Sequence, residues 1–339
     1  MRKYLLPKEG NFYKANLHMH TTVSDGKMTP EETKKAFKEK GYSIVAFTDH
    51  EVMVPQNDLT DENFLAFTST EISINQHRNT DFNYTKCYHL NFYSRDPKKS
   101  LYNTFDETIL WLKHAPLYVT KEQAKIKYRR VYSVDCINEM IKMANEEECL
   151  VSLNHPFWSL QDYSDYIDLK GLWGVEWHNT GCVNNGFLDT ITPVDDLLRK
   201  GENVVPLATD DAHNINDCFG GFVMVKAPQL KHEVIYDALK AGDLYSSQGP
   251  LIEELYLEDN FIHVKTSKAK RIFLTSDKRF TKAVNAKNDE FLTEAKFDLS
   301  WYFDHTNQEI IKHQYIRITV VDEAGLVAHS RAYHLHELV

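Results

Sequence analysis

Cysteine is scarce and shows no pairing pattern. The five residues Cys87, Cys136, Cys149, Cys182 and Cys218 are odd in number, with no Cys-x-x-Cys among them. That argues against a disulfide framework or a thiolate zinc site and fits a reducing, cytoplasmic setting. No apolar run approaches the ~18 residues that span a bilayer. After Met1 to Pro7, the stretch Lys8-Glu9-Gly10 offers no apolar segment of signal-peptide length. Basic residues are outnumbered, 39 Lys and Arg against 49 Asp and Glu, for a net charge of -10. Such a chain is poorly suited to neutralising the phosphates of a long nucleic acid. A small anionic substrate stays open, because bound divalent cations reverse the local field. Three motifs are also missing: the Gly-x-Ser-x-Gly elbow, the P-loop and Gly-x-Gly-x-x-Gly. What is present is an ordinary globular balance, 42% hydrophobic and 26% charged, so a sizeable core is expected.

From residue 12 to about 250, short apolar runs alternate with helical patterns. Ser43 to Phe47, Phe64 to Phe67, Cys149 to Leu153 and Val204 to Ala208 read as buried strands. Thr29-Pro30-Glu31-Glu32 is a capping box with proline at the first helical position, and Gly41 ends that helix. Asp135 is expected to cap a second helix, with Ile137, Met140, Ile141 and Ala144 on its inner face. Further helices stop at Gly201 and Gly242. This alternation predicts a parallel α/β architecture, open or barrel-like. The segment Asp96 to Ser133 breaks the rhythm and becomes basic toward its end (Lys121, Lys125, Lys127, Arg129, Arg130). It reads as an insertion over residues 97–133, either a solvated helical hairpin or a lid that brings cations to an anionic substrate. After Gly249-Pro250 the pattern shifts to strand alternation. Tyr315 to Val321 and a strand through Arg331-Ala332-Tyr333 flank the turn Asp322 to Gly325. Residues 1–249 and 250–339 are therefore expected to be two domains, the second a small antiparallel β sandwich.

The strongest local signal is His18-Met19-His20, followed by Ser24-Asp25-Gly26. Two histidines one residue apart in a strand share a face and can hold one divalent ion. Alone the pair is weak, but Asp and His recur at Asp49-His50, Glu71, His89, His155, and Asp210-Asp211-Ala212-His213, at or just past predicted strand ends. In an α/β barrel those ends converge on one face. A lone histidine at any of these places is more often structural; the joint phase is not what core histidines would keep.

The series His-x-His, Ser-Asp-Gly, Thr-Asp-His, Glu, His-Leu, His-Pro and Asp-Ala-His resembles the polymerase-and-histidinol-phosphatase (PHP) superfamily of metal-dependent phosphoesterases, over roughly residues 14–250. Asp237 to Gly242, Gly249-Pro250, Arg317 and Ala328 to Arg331 resemble, more loosely, the branch with an extra C-terminal β domain. The resemblance implies a distorted (βα)7 barrel and two or three divalent metals (Zn, Mn or Fe). It implies that His18, His20, Glu71 and Asp211 hold a first metal. Glu71 would bridge to a second with His89 and His155, and Asp25, His50 and His213 would hold a third. Asp210 stands where related chains often have serine, and Glu51 where they have Asp or Asn, which bears on substrate selection.

An all-nitrogen-and-oxygen donor set suits Zn, Mn or Fe. The function expected is attack of metal-activated water on a small phosphate ester, a nucleotide or sugar phosphate monoester or a small diester. Carboxyl-ester or carbamate hydrolysis with the same metals, oligonucleotide cleavage, and a non-catalytic metal-stabilised binding module are the competing readings. His178 is a candidate proton donor to the leaving group. Asp49, Asp210 and Asn154 are candidates to orient ligand imidazoles, and loop capping is the plainer alternative. Arg129, Arg130 and Asn179 are candidate substrate contacts. Glu176 reads as a strand residue facing the helices. Phe157, Trp158, Trp173 and Trp177 are core or pocket-wall residues, with nucleobase stacking as the alternative.

Overall fold

The computed structural model describes residues 2–77, 85–110, 114–305 and 314–338. A short strand β1 (Lys3–Tyr4) precedes β2 (Asn11–Asn16), which runs into the His18-Met19-His20 segment. Helix α1 (Pro30–Glu39) starts as its sequence requires. The Thr29 hydroxyl accepts from the Glu32 amide at 3.2 Å, and the Glu32 carboxylate accepts from the Thr29 amide at 2.9 Å. Then follow β3 (Ile44–Phe47), β4 (Leu65–Asn75), β5 (Cys87–Ser94), α2 (Val134–Glu146) and β6 (Cys149–Leu153). Next come α3 (Tyr163–Tyr166), β7 (Gly174–Asn179), α4 (Thr180–Asn184), α5 (Thr192–Lys200), β8 (Val205–Thr209), β9 (Phe222–Ala227), α6 (His232–Ala241) and β10 (Leu244–Ser247). The inner face of α2 is Ile137, Met140, Ile141 and Ala144 as the spacing predicts, but its cap is Ser133, not Asp135. Ser133 precedes Val134, the first helical residue, so its hydroxyl reaches the Cys136 amide, whereas Asp135 already lies inside the first turn.

These strands form one large sheet in which β9, β2, β3, β4, β5, β6, β7 and β8 are consecutive neighbours. The fold is mixed α/β, and not wholly parallel. β2–β3–β4 and β6–β7–β8 pair parallel, while β5 is antiparallel to both β4 and β6. Here the sequence reading needs correcting. β4 does not stop near Phe67 but continues to Asn75, so Glu71 sits within a strand rather than past its end. Tyr88-His89-Leu90 is in the returning strand, with His89 opposite Ser73. Past the strand ends the sheet curls on itself. The Asp211 amide donates to the His18 carbonyl at 2.9 Å, and the His20 amide to the Ala212 carbonyl at 3.1 Å. The first and last strands of the run β2 to β8 thus meet at the end that carries the ligand candidates.

The C-terminal third holds β11 (Ile252–Glu258), β12 (Phe261–Ala269), β13 (Arg271–Ser276), β14 (Lys282–Asn285), β15 (Leu292–Asp298), α7 (Ser300–Asp304), β16 (Tyr315–Val321), β17 (Val327–Ser330), β18 (Tyr333–His334) and α8 (Leu335–Leu338). β1, β11, β12 and β15 make a separate four-stranded antiparallel sheet. β14, β13, β16 and β17 extend the large sheet through β10. Leu255, Ile262, Val264 and Phe297 of one sheet share a core with Ile272, Leu274, Ile316 and Ile318 of the other. The strand foreseen through Arg331 to Tyr333 is broken in two, because β17 ends at Ser330, whose hydroxyl accepts from the Ile318 amide and donates to the Arg331 carbonyl. Among the described residues, the segment between β5 and α2 is neither helical hairpin nor plain coil. Among its described residues it forms single 3-10 turns at Glu107–Ile109, Ala115–Tyr118 and Gln123–Lys125; residues 111–113 of the expected insertion lie outside the described residues. Among the described residues, no helix is long and apolar enough to cross a membrane.

Candidate metal centre

Three overlapping groups of side chains converge at the closed end of the sheet: His18, His20, Glu71 and Asp211; Glu71, His89 and His155; and His20, Asp25, His50 and His213. Each position singled out from the sequence as a ligand is in one of them. Glu71 is the centre. Its Oε1 lies 3.1 Å from His89 Nδ1, 3.3 Å from His18 Nε2 and 3.4 Å from His155 Nε2. Its Oε2 lies 3.2 Å from His50 Nδ1 and 3.3 Å from His20 Nε2. Asp211 Oδ1 adds contacts of 3.0 Å to His20 Nε2 and 3.2 Å to His18 Nε2. Separations near 3.2 Å are the edges of a coordination polyhedron whose ligand atoms sit about 2.0–2.2 Å from a shared centre. The two nitrogens of His20 face different groups, Nε2 the first and Nδ1 the Asp25 side, where the separation is 3.8 Å. His213 Nε2 closes that side at 3.3 Å from Asp25 Oδ2.

The donor set fits divalent cations on a second observation. Glu71 Oε2, Asp211 Oδ1, His20 Nδ1 and His50 Nδ1 are buried and lack a hydrogen-bond partner. Buried polar atoms left in that state are costly, and cations held in the groups to which they belong would satisfy them. Backbone geometry points the same way. His155 and Asp211 adopt φ of +30° and +50°, uncommon for such residues, so the fold holds two ligands in strained conformations.

Electrostatics sets the protonation of the metal-free cluster. Burial would drive His18 and His20 neutral, but the carboxylates outweigh it. Asp211, Glu71 and Glu176 lift His18 well above the usual imidazole value, and Asp211 and Glu71 lift His20 to about 10. Burial, then the charge on His20, pushes His50 down to about 3. Burial opposes ionisation of Glu71 and Asp211 too, yet the surrounding imidazoles hold both well below the carboxylate range. Protons thus occupy the place that cations would take.

A layer of polar side chains braces the ligands. Glu176 points inward, not toward the helices as the sequence suggested. Its Oε1 is 2.7 Å from His18 Nδ1 and accepts from the Thr209 hydroxyl, while Oε2 accepts from the His155 amide at 3.0 Å. Asn154 Nδ2 donates to Glu71 Oε1 at 2.8 Å, and His155 Nδ1 meets Ser159 Oγ at 3.1 Å. Asn16 Oδ1 accepts from the Asp210 amide, tying the two meeting strands. Glu176, Ser159 and Asn16 escaped the sequence reading. The one available signal was phase: Asn16 lies two residues before His18 and Ser159 four after His155, on the faces their ligands use.

Other candidates take different roles. Asp49 does not touch an imidazole. It accepts from the amides and hydroxyls of Thr21 and Ser24, clamping the loop that presents Asp25. Asp210 accepts from the amides of Phe219, Gly220 and Gly221 and from the Thr180 hydroxyl. Burial raises the pKa of both Asp49 and Asp210 against these donors. His178 Nδ1 is held by Asp189 at 2.9 Å and Nε2 lies 3.1 Å from the Thr180 hydroxyl, and the residue belongs to none of the three ligand groups. Asn179 spends its amide on Glu176 and Asp211 and its carbonyl on the Cys182 amide, which makes it a brace for Asp211 rather than a substrate contact. Arg130 is wholly buried and paired with Glu51 at 2.7 Å, so the expected substrate contact fails on burial. Arg129 is exposed on the insertion, 3.7 Å from Asp106. Trp173 and Trp177 are core residues, their indole N–H groups donating to the Leu239 carbonyl and the Ser246 hydroxyl. Trp158 packs on His89 and His155 and, with them, lines a cavity of about 180 Å3 that opens onto the cluster. Phe157 stands half exposed beside it.

Two outcomes follow. Glu176→Gln replaces a charged acceptor on His18 with a neutral one and is expected to weaken metal binding about 10–100-fold; titration with Zn or Mn checks this, and unchanged affinity would contradict the brace. Ligand imidazoles must be deprotonated to bind metal, so loading at pH 7 releases protons and affinity rises as pH climbs toward the His20 value of about 10. By the same linkage the His20 contribution to the metal-free fold is complete below about 6.5 and is lost as pH rises to about 10. Calorimetry in buffers of unlike ionisation heat reads the proton release; none would mean that the imidazoles are neutral.

Residues 16–99 match the model of the PHP domain. Among solved structures the chain is similar to a two-domain protein containing a predicted PHP-like metal-dependent phosphoesterase from Bacteroides vulgatus, at 14% identity, 98% coverage of each chain and a TM-score of 0.43. It is also similar to an amidohydrolase from Chromobacterium violaceum with bound sulfate and no metal (14% identity, 68% of this chain and 96% of that one, TM-score 0.39) and to a lesion-specific endonuclease from Pyrococcus furiosus (16% identity, 68% and 56%, TM-score 0.41). No curated protein matches the chain. The matched segment carries His18, His20, Asp25, His50, Glu71 and His89 and is similar to the PHP domain, the family that the motif series resembles.

Proposed function

We propose that the chain is a metal-dependent hydrolase of small phosphate esters. The observation that carries this is Glu71, whose two oxygens each face a different set of imidazoles, as a carboxylate shared by neighbouring cations would. Two or three divalent ions, Zn, Mn or Fe, bound there would supply an activated water and neutralise a phosphoryl group. The chain's own residues do the rest. Glu176, Asn154 and Asn179 fix His18, Glu71 and Asp211 in orientation, and Trp158 forms part of the cavity wall. A monoester or small diester fits a cavity of about 180 Å3.

Carboxyl-ester or carbamate hydrolysis is the second reading, favoured by one feature. Among the described residues, no Lys or Arg lines the cavity, so the side chains offer a dianion no cation, and a neutral ester asks for none. We read the strands β2 to β8 as a distorted seven-stranded barrel closed by the His18–Asp211 contacts, and residues 250–339 as a β sandwich. The boundary near residue 249 is crossed by β1, which pairs with β11. The five cysteines are free, which suits the reducing cytosol we propose as its compartment.

The test pairs metal analysis with p-nitrophenyl phosphate, bis-p-nitrophenyl phosphate and p-nitrophenyl acetate after Mn, Zn or Fe loading. Phosphate-ester turnover with at least two metals per chain is expected, and His20→Ala and Asp211→Asn should fall to the buffer rate with circular dichroism unchanged. Acetate turnover alone would move the assignment to carboxyl esters. Wild-type rates in either variant would overturn the metal mechanism.

A further inference from the structure

Among the described residues, Arg130 is the largest side chain wholly removed from solvent. It comes from the segment between β5 and α2, and it spends its guanidinium on the ligand wall. Nη1 donates to Glu51 Oε2 at 2.7 Å and to the Ser73 carbonyl at 3.2 Å. Nε donates to the Thr104 carbonyl at 2.8 Å, and Nη2 to the Tyr102 hydroxyl at 3.3 Å. The Arg130 amide donates to Asp106 Oδ2 at 3.0 Å.

Its partner Glu51 follows His50 directly in the chain and is laced to β4 at Glu71 and Ser73. The Glu51 amide donates to the Glu71 carbonyl at 2.8 Å. Glu51 Oε1 accepts from the Ser73 amide at 2.9 Å and hydroxyl at 3.0 Å. Its own carbonyl accepts from the Tyr102 hydroxyl at 2.9 Å. Two residues earlier, the Asp49 carbonyl accepts from the Thr70 hydroxyl at 2.9 Å. Glu51 holds a left-handed φ of +65°, which a non-glycine residue adopts only when its surroundings impose it. Its backbone is held by the Glu71 carbonyl and the Tyr102 hydroxyl and its carboxylate by Arg130 and Ser73, and the residue before it is His50, whose Nδ1 lies 3.2 Å from Glu71 Oε2 and whose Nε2 lies 3.9 Å from Asp25 Oδ2.

We infer that Arg130 is a positioning residue for the His20, Asp25, His50 and His213 group: through Glu51 it fixes His50 against Glu71, and so couples the insertion to occupancy of that metal position. The inference rests on the metal-dependent reading above. It reassigns Arg130, foreseen as a substrate contact, to holding a residue of that group. A buried carboxylate stripped of its cation does not stay in place, because an uncompensated charge in the interior forces rearrangement or solvent entry. Glu51 would then swing out, and His50 would move with it. The other two groups keep their own braces, Glu176 for His18 and Asn154 for Glu71. The effect should therefore fall on one metal.

The experiment counts metals per chain and measures their affinities in wild-type protein, Arg130→Met, Arg130→Lys and the control Arg317→Met. Arg317 is also buried and doubly paired, with both Asp195 oxygens at 3.0 Å, but Asp195 belongs to none of the three groups. A merely structural ion pair would give the same result at both arginines. Expected is a loss of one metal, or a weakening of that metal by tenfold or more, in Arg130→Met, with the remaining metals at wild-type affinity. Arg317→Met should lower the melting temperature and leave every metal affinity unchanged. Should Arg130→Met not fold, Arg130→Lys decides, since it keeps a cation and loses the fork: one weakened metal supports the inference. All metals at wild-type affinity in a folded Arg130 variant, or the same single loss in Arg317→Met, would overturn it. The wild-type metal count reads the function proposed above independently of these differences.

Discussion

Glu71 is wholly buried, and five imidazoles lie within 3.4 Å of its two oxygens. Removing a carboxylate from water costs several kcal/mol unless charge of the other sign surrounds it. Without metal that charge is the protons on His18, His20 and His89, whose affinity the carboxylates raise; with metal it would be the cations themselves. The remaining structure of this end of the molecule follows from the need to bring so many donors to one carboxylate. β4 carries Glu71 in its middle, the antiparallel β5 returns His89 beside it, and the meeting of the β2 and β8 extensions sets His18 and His20 against Asp211.

Donors so close would repel or drift without fixed neighbours. The layer behind them is accordingly anionic or amide: Glu176 behind His18, Asn154 behind Glu71, Asn179 behind Asp211. Asp49 and Asp210 act one step further out. Each gathers backbone amides of a loop, the first around Thr21 to Ser24 and the second around Phe219 to Gly221, and so converts a buried charge into loop geometry. Gly26 is part of the same tight packing. A Cβ there would meet the His20 carbonyl oxygen at 2.3 Å, which is why the turn after Asp25 needs glycine.

The residues that converge around Glu71 were legible in the sequence because metal chemistry restricts residue type and strand phase restricts spacing. Capping chemistry made α1 legible in the same way, since Thr29, Pro30 and Glu32 specify its start by local bonds alone. What stayed hidden is set by distant pairing. Nothing near Glu71 announces that its strand continues to Asn75 or that β5 runs back along it, because a strand buried on both faces has no alternation to read. Glu176 looked like an outward residue for the same reason. Arg130 looked like a surface cation because its segment is basic; the partner that buries it, Glu51, is 79 residues away. Residue type alone cannot tell a cation that meets substrate from one that meets a carboxylate in the core.

The most direct test of the central claim is anomalous diffraction from crystals grown with Zn or Mn, recorded on both sides of the metal absorption edge. The account predicts anomalous peaks on both sides of the Glu71 carboxylate, one near His18, His20 and Asp211 and another near His89 and His155, each about 2.0–2.2 Å from its ligand atoms. An ordered cluster with no peak beside Glu71, or metal bound only elsewhere on the chain, would contradict it.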